Sequence, residues 1–228
     1  MRPASLALST IAEYVAAVCA DTYLLCTARR TDVRYRISRD PRTLANIGRL
    51  RCDVYRNAKS AYLIDELDGN GLDRFDRTAT AFVAELRSAE DEIFAAVRAV
   101  PHPFEVLDFV TENFLTANLG THSLKRTVEV SRLVSSRPDR KVTNGLLLFG
   151  GIYLALTGIT RYFAYVALPE SPASRPVAGS FQIPHRNRGG YTIVSGSIAK
   201  HAAKIGPRLW RNTKFRGSAG VAKHPKRI

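Results

Sequence analysis

The segment from Val142 to Thr160 constrains this chain more than any other, because it contains nineteen residues without a formal charge. Basic residues bracket it, with Arg140 and Lys141 before it and Arg161 after it. As an α-helix, nineteen residues at ~1.5 Å each extend roughly 28 Å, close to the ~30 Å hydrocarbon thickness of a bilayer. The segment therefore predicts either a membrane-embedded helix or a fully buried core helix.

Two features favour the membrane. Leu, Ile and Phe side chains between Leu146 and Ile159 favour insertion by roughly 2.4 to 4.8 kcal/mol in total. Tyr162, Phe163 and Tyr165 follow Arg161, as an interfacial aromatic belt would. We therefore expect a membrane association through residues 142–168, as a spanning, re-entrant or in-plane helix.

Small residues predict how this helix packs. Gly151, Ala155 and Gly158 fall on one helical face, where a second helix can approach closely. This stripe is the candidate packing surface, and it also allows a homo-oligomer through the glycine-rich helix. The alternative interpretation is a glycine-rich core helix of an α-helical protein.

The segment also divides the chain by charge. Residues 1–136 contain 18 basic and 18 acidic residues, whereas residues 137–228 contain 16 basic residues and only Asp139 and Glu170 as acids. The whole net charge of +14 therefore belongs to the last two fifths of the chain. Such an excess favours polyanionic partners, either nucleic acid or an anionic membrane surface.

The basic tail supplies the candidate binding residues. Aromatic residues interleave with its cations, which is typical of surfaces that neutralise phosphates and stack bases or lie at lipid headgroups. The candidates for nucleic-acid or anionic-lipid binding are Arg186, Arg188, Lys200, Lys204, Arg208, Trp210, Arg211, Lys214, Arg216, Lys223, Lys226 and Arg227.

The neutral half indicates helices. Asp40-Pro41 is typical of a helix N-cap followed by proline at the first helical position. Phe75, Phe82, Leu86, Ala89, Ile93 and Val97 suggest the clearest amphipathic helix, with charged residues off that face. Residues 121–135 suggest a shorter one. We therefore predict a mostly α fold with an N-terminal helical bundle over 1–136, the long apolar helix over 137–169 and an irregular, partly disordered basic tail over 170–228.

No motif in the sequence predicts catalysis. The five histidines are scattered, and phosphate-loop, dinucleotide-binding and nucleophile-elbow motifs are absent from the sequence. Residues 65–76 resemble a calcium loop only superficially, because Arg77 stands where a bidentate Glu is needed. The stretch instead predicts a turn, with Asp68 or Asn70 capping the next helix. The three cysteines match neither a disulfide framework nor a zinc pattern. We expect no enzyme activity, no cofactor and no metal.

These observations lead to one functional expectation and one alternative. The first is a non-enzymatic structural protein, membrane-associated, whose polybasic tail faces a reducing compartment and holds nucleic acid, a ribonucleoprotein or anionic lipid, in the manner of a matrix or virion-membrane scaffold. The alternative is a soluble basic nucleic-acid-binding protein, of nucleocapsid or ribosome-associated type, with residues 142–160 as a core helix.

Overall fold

A computed structural model describes residues 3–27, 32–56, 61–86, 92–119, 124–137, 139–167, 181–183 and 191–200. Within these ranges the α-helices are α1 (Pro3–Thr27), α2 (Pro41–Arg56), α3 (Glu112–Leu119) and α4 (Arg140–Leu156). Short 3-10 helices span Ala61–Glu66, Arg74–Arg77 and Glu105–Asp108. The strands are β1 (Val33–Ser38), β2 (Thr80–Leu86), β3 (Ile93–Val100), β4 (Thr127–Ser135), β5 (Arg161–Ala167), β6 (Phe181–Ile183) and β7 (Tyr191–Ser197).

The described strands form one mixed sheet in the order β1-β2-β3-β4-β5-β7-β6. All neighbours pair antiparallel except β4 and β5, which are parallel and joined by α4. The predicted mostly α fold, with its N-terminal bundle, is therefore wrong, since the protein is α/β. The predicted irregular tail is wrong as well where β6 and β7 extend the sheet.

One face of the sheet is covered by α1 and α4, and we call it the helical face. The core side chains of α4, among them Leu146 and Phe149, are fully buried there. Phe149 stacks on Tyr35 of β1 and meets Phe82 of β2 edge-on. Burial of these groups against the sheet removes the need for lipid, so the prediction of a membrane-embedded helix is wrong.

The glycines of α4 serve this packing. A Cβ atom on Gly145 would lie 2.1 Å from the Tyr35 hydroxyl, so that position requires glycine. The predicted packing stripe lies elsewhere on the helix. Gly151 has no atom within 4 Å of where its Cβ would be, Ala155 is exposed, and Gly158 follows the helix with a positive φ of 90°.

Among the described residues, one helical stretch is long and apolar enough to cross a bilayer by length and composition. That stretch is Leu8–Thr27 in α1, and 28% of it is buried inside the protein. Its buried side consists of Ala12, Ala16, Ala20, Tyr23 and Leu24, which pack against the helical-face core. The same test does not select α4.

The opposite face, which we call the network face, carries two separate apolar clusters. One lies under α2 and includes Ile47, Leu50 and Val83. The other lies under α3 and the 3-10 helix Glu105–Asp108, and it includes Phe104, Leu115 and Phe163. Charged side chains are also buried on this face. Arg98 of β3 and Glu129 of β4 come from the sheet, and Arg51, Asp76 and Glu105 come from the helices that cover it.

Candidate active site

The parallel strands β4 and β5 create an opening in the sheet. They pair over only three positions, from Thr127↔Arg161 to Glu129↔Phe163, although β4 continues to Ser135 and β5 to Ala167. Past these pairs the carboxyl ends of the two strands are no longer hydrogen-bonded to each other. Ligands of α/β proteins bind beyond the carboxyl ends of parallel strands, where neighbouring strands part. We therefore take this crevice as the candidate active site.

Arg51 of α2 anchors the first part of a charged network on this face. Its guanidinium donates to both carboxylate oxygens of Asp76, at 2.7 and 2.9 Å, and both side chains are buried. Asp76 also accepts from the backbone N–H of Asp73, while the Asp73 carboxylate accepts from the N–H of Phe75. This reciprocal capping box fixes the 3-10 helix that carries both aspartates.

Arg98 of β3 connects that helix to the next one. It donates to Asp73 and to Glu105, its Nε donates to Ser131 Oγ at 2.9 Å, and it lies 3.2 Å from Asp76. The side chain of Arg98 is 1% exposed. A guanidinium this deeply buried is tolerated only when its N–H groups are hydrogen-bonded to acceptors and its charge is balanced by carboxylates.

Arg132 of β4 completes the network. Its Nη2 donates to Glu105 at 2.9 Å and to Glu66 at 2.8 Å, and lies 3.3 Å from Asp73. Arg132 has a positive φ of 53°, unusual for a residue with a side chain, at the point where the pairing of β3 with β4 shifts register. Such a bulge re-aims a side chain, and strained backbone of this kind concentrates at functional sites.

The network fixes the protonation of most of its members. Burial raises the pKa of Asp76, but the hydrogen bond and charge of Arg51 outweigh it and lower that pKa to about 2. Burial likewise opposes the charges of Arg132 and Arg98 at Glu105, and the net result is a lowered pKa for that carboxyl. The pKa values of both arginines are raised by their carboxylate neighbours despite burial. These groups stay charged at neutral pH.

Glu129 of β4 differs from the other carboxyls. It is fully buried at the last position where β4 pairs with β5, and its Oε2 accepts from the backbone N–H of Val106 at 3.0 Å. Burial, followed by the charge of Glu105, raises the pKa of Glu129 to about 8. Its Oε1 is buried without a hydrogen-bond partner among the described residues. A carboxyl with this pKa can hold or release a proton near neutral pH.

Tyr165 of β5 lies on the same side of the crevice. Its hydroxyl interacts with Glu105, and burial together with the charges of Glu105 and Glu129 raises its pKa well above the ordinary value. The phenol is therefore a stable neutral hydroxyl beside the buried carboxyls.

The amino end of α4 faces the same end of the parallel strands. There the Asp139 carboxylate caps the helix and accepts from the N–H groups of Lys141 and Val142. These amides, which at other helix N-termini bind phosphate groups, are thus already satisfied by a side chain.

The structure describes only one of the binding residues that the sequence predicted in the tail. Of the tail candidates only Lys200 lies within the described residues, where it is exposed and follows β7. The remaining candidates lie outside the described residues: Arg186, Arg188, Lys204, Arg208, Trp210, Arg211, Lys214, Arg216, Lys223, Lys226 and Arg227. In the part of the chain that the structure describes, no group of three or more His, Cys, Asp or Glu side chains is arranged to hold a metal ion.

A mixed sheet that parts between two parallel strands, with a crossover helix starting at the opening and a buried carboxyl beside it, defines an α/β fold with its candidate site at the parting of the strands. Solved structures of that class are similar to this chain. The acyl-homoserine lactone synthase BjaI, with SAM and isopentyl-CoA, matches with TM-score 0.53 and 18% identity, covering 82% of this chain and 88% of its own.

Two further solved structures are similar to this chain over most of its length. FeeM, an N-acyl amino acid synthase from uncultured soil microbes, gives TM-score 0.52 and 15% identity, covering 74% of this chain and 92% of its own. The AHL synthase LasI matches with TM-score 0.50 and 15% identity, covering 73% of this chain and 90% of its own. At such identities the likeness establishes the fold alone. No protein-family model and no curated protein matches the sequence.

These findings correct the functional predictions. A non-enzymatic membrane scaffold of matrix or virion type is wrong, because the supposed membrane helix is the core helix of an α/β fold that resembles the solved structure of an acyl-homoserine lactone synthase. The predicted partners are wrong for the same reason: an anionic membrane surface, nucleic acid or ribonucleoprotein, and a homo-oligomer through the glycine-rich helix. The soluble nucleic-acid-binding alternative has no support from these relatives.

Sequence reasoning missed the actual site because its residues are far apart in the chain. Arg51, Asp76, Arg98 and Glu129 alternate with other charges, which is how solvated surfaces also look. One signal was present: Arg98 and Glu129 each interrupt an otherwise apolar run, at AAVRAV and TVEV. A charge within a run of β-branched and small apolar residues marks a buried polar group once the run is recognised as a strand.

Proposed function

We propose that this protein is an N-acyltransferase, which transfers an acyl group from a thioester to the amino group of an amino-acid-like acceptor. The observation that carries the proposal is Glu129, a buried carboxyl with a pKa of about 8 at the point where β4 and β5 part. The similar structures support the class, since they are those of an acyl-homoserine lactone synthase and an N-acyl amino acid synthase.

The reaction needs one proton acceptor. The acceptor's nitrogen attacks the thioester carbonyl, a C–N bond forms, the C–S bond breaks and the donor leaves as a thiol. An ammonium nitrogen has no lone pair, so the acceptor loses one proton before the attack, and Glu129 takes that proton, because a carboxyl with a pKa near 8 is matched to an amine near neutral pH. The nitrogen loses a second proton as the amide forms, and the departing thiolate takes it up, so atoms and charge balance.

The charges of the network favour a cationic acceptor. Three buried guanidiniums, of Arg51, Arg98 and Arg132, face four buried carboxyls. The fourth carboxyl, Glu129, is the one without a guanidinium partner. A protonated amine beside it would supply the missing positive charge and lower its pKa, which promotes ionisation as the acceptor binds.

The test is a thiol-release assay with acyl thioesters of several chain lengths and a panel of amino acids and S-adenosylmethionine. We expect amide product with one acceptor class, and kcat/KM that rises with pH toward about 8. The Glu129→Gln variant keeps the shape and the Val106 hydrogen bond but should lose about 10²- to 10⁴-fold in rate. Glu112→Gln, an exposed carboxyl on α3, is the matched control.

The possible outcomes test the acyltransferase activity and the role of Glu129 separately. If no donor–acceptor pair releases thiol while the protein is folded, the acyltransferase proposal is contradicted. If the amide forms but Glu129→Gln retains full activity, acyl transfer stands and the role assigned to Glu129 is wrong.

A further inference from the structure

Helix α1 presents an outward face that nothing in the described structure covers. Six of the ten large hydrophobic side chains exposed among the described residues lie on it: Leu8, Ile11, Tyr14, Val15, Val18 and Leu25. The other exposed positions of this helix face are Thr10 and Thr22, and Asp21 at its border is half-buried, so none of the exposed side chains is charged. An exposed helix face usually carries charged residues, and a contiguous apolar patch marks an interaction surface.

The helix cannot rotate to bury this face. Its inner side packs closely through Ala12, Ala16 and Ala20. Ser9 Oγ lies 2.9 Å from the Tyr153 hydroxyl of α4, and the Glu13 carboxylate accepts from the backbone N–H of Ile37 on edge strand β1, at 3.0 Å. These contacts fix α1 on the protein with its apolar face outward.

The spacing of the exposed residues is that of a helix–helix contact. Leu8, Ile11, Val15, Val18, Thr22 and Leu25 are separated alternately by three and four residues, which is the a/d pattern of about 3.5 residues per turn. This narrow stripe differs from the broad apolar face, flanked by Lys and Arg, that lies on a lipid surface.

We infer that a second copy of this chain docks on α1 through this stripe, forming a two-fold dimer. The six exposed apolar side chains of α1, which are those of the stripe with Tyr14 in place of Thr22, are between 39% and 71% exposed. Together they present about 600 Å², the upper limit for a typical monomer's largest apolar patch. Two copies would bury about 1,200 Å² in total, the lower end of the range for specific interfaces. The surface is α1 and not the glycine-rich helix α4.

The inference is independent of the acyltransferase proposal. It is tested on the full chain by sedimentation velocity from about 1 to 100 µM. We expect a concentration-dependent dimer. The double variant Val15→Glu/Val18→Glu places two charges in the centre of the stripe and should weaken dimerisation by about 100-fold or more, because those charges would be buried without partners. Phe114→Glu, at a residue of α3 that is 39% exposed, is the matched control and should dimerise like the parent.

A second measurement guards against a folding defect. The melting temperature of a protein that associates in its native state rises with protein concentration. The parent and Phe114→Glu should show this rise, and the folded double variant should not. A parent that stays monomeric at 100 µM overturns the inference, as does a dimer that survives the double substitution or a monomer that floats with neutral liposomes through α1.

Discussion

The two faces of the sheet use opposite means to fill their interior. The helical face is closed by apolar side chains of α1 and α4, with Leu146 and Phe149 fully buried. The network face has apolar clusters under α2 and α3, together with three arginines and four carboxyls whose side chains are buried on the same face. Buried ion pairs seldom stabilise a fold more than apolar packing of equal volume would. The comparison therefore assigns stability to the helical face and chemistry to the network face.

The largest effect should come from removing the central cation of the network. Arg98→Ala leaves Asp73, Asp76 and Glu105 without a shared partner, and we expect a loss of about 3 to 5 kcal/mol in the free energy of unfolding. The loss should be smaller at pH 5 than at pH 7.5, since carboxyls freed from the guanidinium protonate more readily. Urea unfolding at both pH values measures it.

The control for that variant is Arg74→Ala. Arg74 pairs with Asp108 at the surface, where its side chain is 67% exposed, so its loss should cost less than about 1 kcal/mol. Equal losses for Arg98→Ala and Arg74→Ala would contradict the greater cost assigned to the buried cation.

On the helical face, a cavity-forming substitution should lower the free energy of unfolding by an amount that does not depend on pH. Leu146→Ala removes a fully buried side chain of α4 and should cost about 2 to 5 kcal/mol. Because its neighbours in this core are apolar, the same loss is expected at pH 5 and at pH 7.5. Leu156→Ala, on the exposed end of α4, should stay within about 0.5 kcal/mol of the parent. A strong pH dependence of the Leu146→Ala loss would refute the prediction.

Glu129 should make the network face less stable as pH rises. Its pKa of about 8 in the folded protein lies above the ordinary value of 4.5, so the folded state holds a proton that the unfolded chain releases. That contribution to stability is complete below pH 4.5 and is lost as pH rises to about 8. Glu129→Gln should remove this decline, so that it gains stability relative to the parent from pH 5 to 8, measured by urea midpoints. Parallel curves for the two proteins would show that Glu129 titrates normally.

Removing a helix N-cap should give the smallest loss of stability, and the loss should be the same on both faces. Asp139 caps α4 on the helical face, and Asp40 caps α2 on the network face by accepting from the N–H of Thr43. Replacing either by Ala should cost about 1 kcal/mol, within the 0.5 to 2 kcal/mol range of N-cap losses. Thermal unfolding of the two variants gives the comparison, and a difference beyond about 2 kcal/mol would mean that one aspartate does more than cap its helix.

Local signals in the sequence were interpreted well where one segment supplies all the evidence. Asp40-Pro41 begins α2 as predicted. The uncharged segment is a helix, although it runs over Arg140–Leu156 and its surroundings are protein. Asp68 accepts in a turn from the N–H groups of Asn70 and Leu72, but the predicted cap, Asp68 or Asn70, is wrong, because Asp73 caps the following 3-10 helix.

The sequence analysis predicted one helix where the structure has the two strands β2 and β3, because their apolar residues recur at helical spacing. Phe82 and Val97 were placed on the same face of a predicted helix, and they are instead cross-strand partners of β2 and β3 on the same face of the sheet. Alanine-rich strands such as these weaken the β signal, since alanine favours helix by itself. Pairing with β1 and β4 on either side overrides that preference.

By itself the sequence determined that residues near 142–156 must be a helix surrounded by apolar material, that α2 begins at Asp40-Pro41, and that the positive charge belongs to the last two fifths of the chain. These properties depend on neighbours within a few residues. Only the tertiary structure decided that a sheet and not a bilayer surrounds α4, and that Arg51, Asp76, Arg98, Glu105 and Glu129 meet. Their encounter depends on strand pairing between distant segments, whose register is set by the folded core and not by local spacing.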